Sequence, residues 1–126
     1  MPMNQTDYQE TALSGAPYFL AVSHPARIQI LLHLAKYKGC RAGSISARLP
    51  LAKSTVSQHL TKLKKMGLVT CTREETCVKY NLNEQALDEL RAYFEEFMNT
   101  MDSLRENRME CCPEKEEMDC GLETSE

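Results

Sequence analysis

The sequence predicts a mostly α-helical protein with a small β-hairpin, arranged as a winged helix-turn-helix. The first observation is a helical repeat of apolar residues over residues 53–66, which Gly67 ends. The second is a run rich in β-branched and aromatic residues over 68–82, broken by charged residues near its middle. The third is a return to helical spacing over 83–104. A helix pair followed by a hairpin and a long helix is the pattern of a winged DNA-binding domain.

The helix predicted from Lys53 onward is strongly amphipathic. Val56, Leu60 and Leu63 form one apolar stripe, which Met66 can extend. Near the helix start, hydroxyl and amide side chains can read base edges, and lysines suit phosphates. No Asp or Glu occurs from residue 40 to residue 72. The pattern predicts a DNA-reading helix, although this helix alone also fits an ordinary amphipathic surface helix. Its polar face carries Ser54, Thr55, Ser57, Gln58, Thr61, Lys62 and Lys65.

The segments before this helix complete the predicted helix-turn-helix. Residues 42–49 suit one short helix that Pro50 stops, and residues 50–52 form the turn. An earlier helix begins with Ser23 as its cap and Pro25 in its first turn, and ends by Gly39. A further short helix is expected over 8–20, interrupted at Pro17. The stripe expected to face the core in the second helix is Ile28, Leu31, Leu32 and Ala35.

The second half of the chain predicts a hairpin and a long helix. Strands are expected over 68–72 and 76–82, with residues 73–75 as a charged tip. Asn83 is the expected cap of the last helix. Its apolar stripe runs for about five turns and predicts a dimer surface. The alternative is a helix folded wholly onto its own core. The stripe consists of Leu87, Leu90, Tyr93, Phe94, Phe97, Met98, Met101 and Leu104.

Composition separates a basic part from an acidic tail. The chain has 126 residues, of which 42% are hydrophobic and 26% charged. This length and composition suit one domain with a modest hydrophobic core. Residues 1–105 carry 13 basic and 10 acidic side chains, whereas residues 106–126 carry two basic and eight acidic ones. We therefore expect a winged-helix DNA-binding and dimerisation domain over 1–105 and an acidic, cysteine-containing tail over 106–126. The overall charge of −3 does not argue against DNA binding.

Other classes of protein find little support in the sequence. There is no signal peptide and no apolar run of membrane-spanning length, so a cytoplasmic protein with six reduced cysteines is expected. No phosphate-binding glycine loop, nucleophilic triad or paired-carboxylate site can be placed, and we expect no enzyme. A thiol-rich module that buffers metal without regulating DNA remains a rival.

Four segments in order make the chain resemble the ArsR/SmtB family of winged-helix repressors. They are residues 23–31 (SHPARIQIL), 54–63 (STVSQHLTKL), 67–69 (GLV) and 78–80 (VKY). The resemblance covers residues 20–101 and implies a homodimer joined by its first and last helices. It also implies that double-stranded operator DNA is released when a metal, metalloid or oxidant binds. One departure is Ala52, where many relatives have a Ser that caps the recognition helix, so this helix either begins one residue later or loses about 1 kcal/mol of capping free energy. The resemblance places Ser54, Thr55, Ser57, Gln58 and His59 in the DNA groove, Lys62 on the DNA backbone and Arg73 on the wing.

The inducer is expected to bind the tail cysteines. The two metal sites best known in the family are not matched: Cys40 falls one position early, and no histidine follows His59. Cys111, Cys112 and Cys120 lie within ten residues instead. Three sulfurs suit trivalent arsenic or antimony, whereas structural zinc takes four ligands. Some family members similarly carry C-terminal cysteines and respond to As(III). No cofactor is expected. Thiol oxidation or persulfide formation, zinc or cadmium sensing, and cysteines without a function stay open.

The remaining cysteines and histidines give weaker signals. Cys71 and Cys77 flank the hairpin tip and could face each other as an oxidation-sensitive pair, or fill strand positions as small hydrophobic residues. Cys40 is either a reactive thiol beside basic residues or an inert one. His24 and His33 are expected to be packing residues, and His59 a polar group on the DNA face.

Overall fold

The computed structural model describes residues 10–111. It contains five helices and one two-stranded antiparallel sheet in this part of the chain, which confirms the predicted fold class. Within the described range no helix is long and apolar enough to cross a membrane. Two compact units are distinguished, residues 10–95 and 96–111. The elements are α1 (Glu10–Ala21), α2 (Pro25–Lys36), α3 (Ala42–Arg48), α4 (Lys53–Lys65), β1 (Val69–Glu74), β2 (Cys77–Leu82) and α5 (Glu84–Glu106).

Helix α1 continues through Pro17, so the predicted interruption at this residue is wrong. Proline removes one backbone hydrogen bond and can bend a helix without ending it. Contacts just after Pro17 hold α1 against α5. The hydroxyl of Tyr18 donates a hydrogen bond to the Glu89 carboxylate, and its ring stacks on Tyr93 at a centroid distance of 5.3 Å. This tertiary packing offsets the local cost of the proline.

Helix α2 is capped by His24, and the prediction that Ser23 is the cap is wrong. The Nδ1 atom of His24 accepts a hydrogen bond from the backbone N–H of Ala26 at 3.0 Å. The Ser23 hydroxyl instead donates to the carbonyl of Leu20 at 2.8 Å, which satisfies the end of α1. Pro25 occupies the first turn as predicted, where its missing N–H costs nothing.

The buried face of α2 also differs from the predicted stripe. The residues that face the core are Ala26, Arg27, Ile30 and Leu34. Ile28 is 44% exposed and Leu32 59% exposed, while Ala35 is exposed and Leu31 only half-buried. Apolar residues surround most of α2, so its periodicity permits more than one stripe, and packing within the fold selects between them.

The hairpin begins and ends close to the predicted residues, but β1 extends two residues further into the tip than predicted and β2 begins one residue later. Val69 pairs with Leu82 and Glu74 with Cys77, which leaves only residues 75 and 76 in the turn. Cys40 joins the sheet edge through a single bridge. Its N–H donates to the Tyr80 carbonyl at 3.0 Å, and its carbonyl accepts from the Tyr80 N–H at 2.7 Å. Burial raises the pKa of the Cys40 thiol, so this cysteine is a structural, unreactive one.

Asn83 joins α5 to the end of α4 and confirms its predicted role as a cap. Its side-chain oxygen accepts from the N–H of Ala86 at 3.4 Å, and its amide donates to the Gly67 carbonyl at 2.8 Å. Gly67 has a φ of +85°, the left-handed conformation in which a glycine commonly ends a helix, and it follows α4 as predicted. These contacts fix the hairpin between the two helices.

Candidate nucleic-acid interface

One side of α4 is sealed in the core, which determines what its other side presents. Val56, Leu60 and Leu63 are each 0% exposed and pack in a single cluster with residues of α2, α3 and β1. Ala52 is the N-cap residue, and no side-chain hydrogen bond caps the helix. The helix therefore depends on its buried face for stability. The predicted apolar stripe is confirmed.

The polar face of α4 is accessible along its length. Ser54, Gln58 and Lys62 are exposed, while Thr55 and Ser57 are half-buried. The hydroxyl of Thr61 donates to the Ser57 carbonyl at 3.0 Å and is thereby used within the helix. The side chains at residues 54, 58 and 62 follow one another at a spacing of four residues, so they lie on one line along the helix. This line can present an amide and a hydroxyl to bases and an ammonium group to phosphate.

His59 lies in a different environment from its neighbours on this face. It is half-buried, and its ring lies 4.6 Å from that of His24, centroid to centroid. Burial lowers the pKa of His59, and the nearby His24, Arg27 and Lys62 lower it further. The neutral imidazole is therefore favoured at neutral pH. The His24–His59 contact joins α4 to the N-terminal end of α2, which the sequence did not predict.

Arg73 lies on the hairpin, exposed near the end of β1. It pairs across the sheet with Val78 and forms no ion pair with another described residue, whereas the adjacent Glu74 forms a salt bridge with Lys79 at 3.5 Å. The acidic neighbour is thus partly neutralised by a lysine of the same sheet. Arg73 is placed where a wing residue can contact a DNA backbone.

The structure adds basic residues that the sequence analysis did not single out. A polar cleft of about 470 Å³ opens between α3, the start of α4 and the hairpin. Arg41 and Lys53 line it, together with the hydroxyl-bearing Ser44 and Thr76. The absence of Asp and Glu from residues 40–72 was the signal in the sequence that could have indicated a basic site here. The hairpin wall of the cleft, however, comes from a separate part of the chain.

The predicted thiol site falls largely beyond the described residues. Cys112 and Cys120 lie outside them, and Cys111 is the last residue that is described. Cys111 is disulfide-bonded, whereas Cys40, Cys71 and Cys77 are free thiols, so among the described cysteines the expectation of reduced thiols is confirmed for these three and wrong for Cys111. Within residues 10–111, no three side chains of the metal-binding types come together.

The hairpin register excludes a direct Cys71–Cys77 pair. Cys71 is opposite Tyr80, and Cys77 is opposite Glu74. Residues 71 and 74 are three apart on one strand, so their side chains point to opposite faces of the sheet. The two cysteines therefore lie on opposite faces and do not form the oxidation-sensitive pair that the sequence left open.

Comparison with known proteins identifies the class of regulator to which the chain is similar. A family model described as "Bacterial regulatory protein, arsR family" matches residues 24–70, which include α2, α3 and α4. The HTH-type transcriptional regulator YgaV of Escherichia coli is 31% identical over 84 residues, which is 67% of this chain and 85% of that protein. The transcriptional activator HlyU of Vibrio cholerae is 33% identical over 82 residues, covering 65% of this chain and 75% of HlyU.

Solved structures have the same architecture. A possible transcriptional regulator for arsenical resistance superposes with a TM-score of 0.60 at 29% identity, covering 72% of this chain and 95% of its own. The structure of reduced HlyU from Vibrio cholerae gives a TM-score of 0.58 at 28% identity, covering 78% of this chain and 97% of its own.

Proposed function

The chain belongs to the arsR family of bacterial regulatory proteins and is a DNA-binding transcriptional regulator, and we propose that it is a repressor released by trivalent arsenic or antimony. One observation carries the DNA-binding part of this proposal. The apolar side of α4 is completely buried, and the opposite side presents Ser54, Gln58 and Lys62 to solvent. A helix fixed in this way can enter the major groove without losing core contacts.

We assign the groove contacts to the start and middle of α4. Ser54, Thr55, Ser57 and Gln58 face base edges, and His59 contributes a neutral ring at the margin of this surface. Lys62 and Arg73 contact the DNA backbone, one from α4 and one from the hairpin. Hydroxyl and amide groups discriminate between bases, whereas the two cations add affinity for any sequence.

The repressor is proposed to act as a homodimer, because apolar side chains of α1 and α5 lie on the surface. Within residues 10–95, an open apolar groove of about 820 Å³ is lined by residues of α1 and by Ser23, and Leu20 in this lining is 57% exposed. Within residues 96–111, Phe97, Met98, Met101 and Leu104 are exposed. A second copy that covers these side chains removes apolar area from water. A dimer also presents two copies of α4 to the two halves of a palindromic operator.

The inducer is proposed to bind Cys111, Cys112 and Cys120. Three reduced thiols displace the three hydroxyls of arsenous acid, form three As–S bonds and release three waters. Cys111 must first be reduced, because a disulfide sulfur cannot act as a thiolate ligand. The solved relative named for arsenical resistance supports this choice among soft ions. Cys111 follows the end of α5 by five residues, so the bound ion constrains the chain next to the proposed dimer helix.

Release requires the inducer to favour a state that binds DNA weakly. A coupling free energy of about 3 kcal/mol corresponds to a loss of operator affinity of roughly 150-fold. Ordering of the chain after α5 shifts the two protomers and changes the spacing of their α4 helices. This mechanism places the DNA contacts and the thiols in different parts of the protein, with α5 between them.

Fluorescence anisotropy of labelled operator DNA tests the inducer. The operator is first selected from a random oligonucleotide pool with the wild-type protein. Under reducing conditions, arsenite is expected to dissociate the wild-type complex and to leave the Cys111→Ser/Cys112→Ser complex bound. A Cys71→Ser variant, whose thiol lies in the hairpin, should still respond. A full arsenite response in the double variant contradicts the tail site, and release by zinc or cadmium but not by arsenite contradicts the choice of ion.

Thiol oxidation is the second candidate signal, and the disulfide at Cys111 is the observation that favours it. The solved structure of reduced HlyU from Vibrio cholerae adds support. Oxidation of two thiols to a disulfide passes two electrons and two protons to an oxidant such as peroxide. If this candidate is right, peroxide releases the operator from the wild-type protein without arsenite, and a thiol reductant restores binding.

A further inference from the structure

We propose that the cleft between α3, α4 and the hairpin binds a backbone phosphate of the operator, a contact that rests on the DNA-binding function proposed above. The cleft has a volume of about 470 Å³. Arg41 enters it from the residue before α3, and Lys53 from the first residue of α4. Ser44 and Thr76 add hydroxyl donors from two different elements. DNA contact therefore extends beyond the polar face of α4 and the tip of the wing.

Two cations of different geometry meet at this cleft. A guanidinium can bind two phosphate oxygens at once, while an ammonium acts as a compact point charge. The side chain of Lys53 reaches back over α3: its Cε atom lies 4.0 Å from the position that a Cβ would take at Gly43. The lysine stem thus bridges the starts of α3 and α4 at the cleft.

The charge balance around the cleft favours an anion. No carboxylate belongs to its lining. Among the described residues, neither Arg41 nor Lys53 forms a salt bridge or a side-chain hydrogen bond. The acidic residues closest in sequence to its hairpin wall are Glu74 and Glu75. Glu74 is engaged by Lys79, and Glu75 is exposed in the turn. The two cations are consequently available to a ligand.

The position of the cleft identifies that ligand as DNA. Lys53 immediately precedes Ser54 and Thr55, which begin the proposed reading surface. Thr76 and Cys77 on the other wall belong to the wing, which also carries Arg73. A duplex held by α4 and the wing passes between these two groups of residues. A phosphate that enters the cleft neutralises cations that otherwise remain exposed to solvent.

The salt dependence of DNA binding tests the inference in the full-length protein. Each phosphate contact contributes about 0.9 to the slope of log K against log salt concentration. The Arg41→Ala/Lys53→Ala protein is expected to have a slope that is shallower by about 1 to 2 and to lose affinity equally for operator and scrambled DNA. The control is Lys36→Ala/Arg91→Ala, which removes the same charge from exposed residues of α2 and α5 and should keep the wild-type slope.

A second pair of variants keeps the test independent of folding defects. Thr76 is exposed in the hairpin turn, so both Thr76→Glu and Thr76→Gln should fold. Only the carboxylate places a negative charge at the cleft, and we expect Thr76→Glu to weaken binding several-fold relative to Thr76→Gln. Equal affinities of these two proteins, or an unchanged slope in the double alanine protein, overturn the inference.

The same titrations separate this inference from the function on which it rests. If the wild-type protein binds no DNA in a salt-dependent way, the proposed function fails. If it binds DNA and the cleft variants behave as the wild type does, only the cleft assignment fails. Competition by inorganic phosphate at constant ionic strength, seen with the wild type and absent in the double alanine protein, supports a DNA phosphate in the cleft, whereas phosphate that binds the cleft without weakening DNA binding indicates a small-anion site and contradicts the assignment to DNA.

Discussion

His59 illustrates how one residue can link the reading helix to the rest of the fold. Its place on α4 predicted a polar group facing DNA, but its ring contacts His24, which caps α2. The sequence could not predict this pair, because the two histidines are separated by 35 positions and no sequence pattern indicates that they meet. The contact couples the orientation of α4 to the intact cap of α2.

The lowered pKa of His59 predicts that the protein loses stability in mild acid. Between the unfolded value of 6.5 and the lower folded value, the unfolded chain binds more protons than the folded one. The free energy of unfolding therefore falls as pH decreases below 6.5 through this window. The free energy of unfolding, measured by urea denaturation at about pH 7.5 and about pH 5.5, should fall less between these two values for His59→Gln than for the wild type.

His33 provides the control for this prediction, because burial also lowers its pKa, with Arg48 and Lys36 adding to the effect. A His33→Gln protein should retain the part of the acid-induced loss of stability that comes from the protonation of His59. If His59→Gln loses as much stability as the wild type between the two pH values, the protonation of His59 does not limit stability in acid.

At the scale of elements, the sequence predicted α4 better than α2 for a physical reason. In α4, three apolar residues stand alone among polar ones, so only one buried face is possible. In α2, apolar residues lie on nearly every side, and the choice of Ile30 and Leu34 over Ile28 and Leu32 depends on packing partners elsewhere in the chain. The prediction at Pro17 was wrong for a similar reason. The contact that holds α1 at this point joins Tyr18 to Glu89 of α5, which lies far away in the sequence.

The exposed stripe of α5 predicts a specific effect on association. Met101 is 42% exposed, and a carboxylate at this position must be desolvated in the proposed dimer interface. Met101→Glu should sediment as a monomer at concentrations where the wild type is a dimer. Asn99→Glu adds the same charge to the opposite side of the same helix and should remain dimeric. Two variants that sediment identically contradict a dimer interface on this face of α5.

At the scale of the whole molecule, the charged residues and the proposed functional residues are distributed unevenly along the chain. The basic part and the acidic tail were evident from composition, and the apolar stripe of α4 was evident from its periodicity. The cleft of Arg41 and Lys53 was not, because its walls come from two segments that only the folded hairpin brings together. The thiol site depends on Cys111, Cys112 and Cys120, of which only Cys111 lies among the described residues, and it remains a proposal.

The central claim is that the exposed side of α4 reads the operator, and Gln58 tests it most directly. Fluorescence anisotropy is measured for the selected operator and for a scrambled duplex, with the wild type, Gln58→Ala and the exposed α5 control Gln85→Ala. We predict that Gln58→Ala loses about 1–3 kcal/mol of discrimination between the two duplexes, with its salt slope unchanged. The control should discriminate as the wild type does. If Gln58→Ala discriminates as well as the wild type, Gln58 does not read the operator and the assignment of α4 as the reading helix is contradicted.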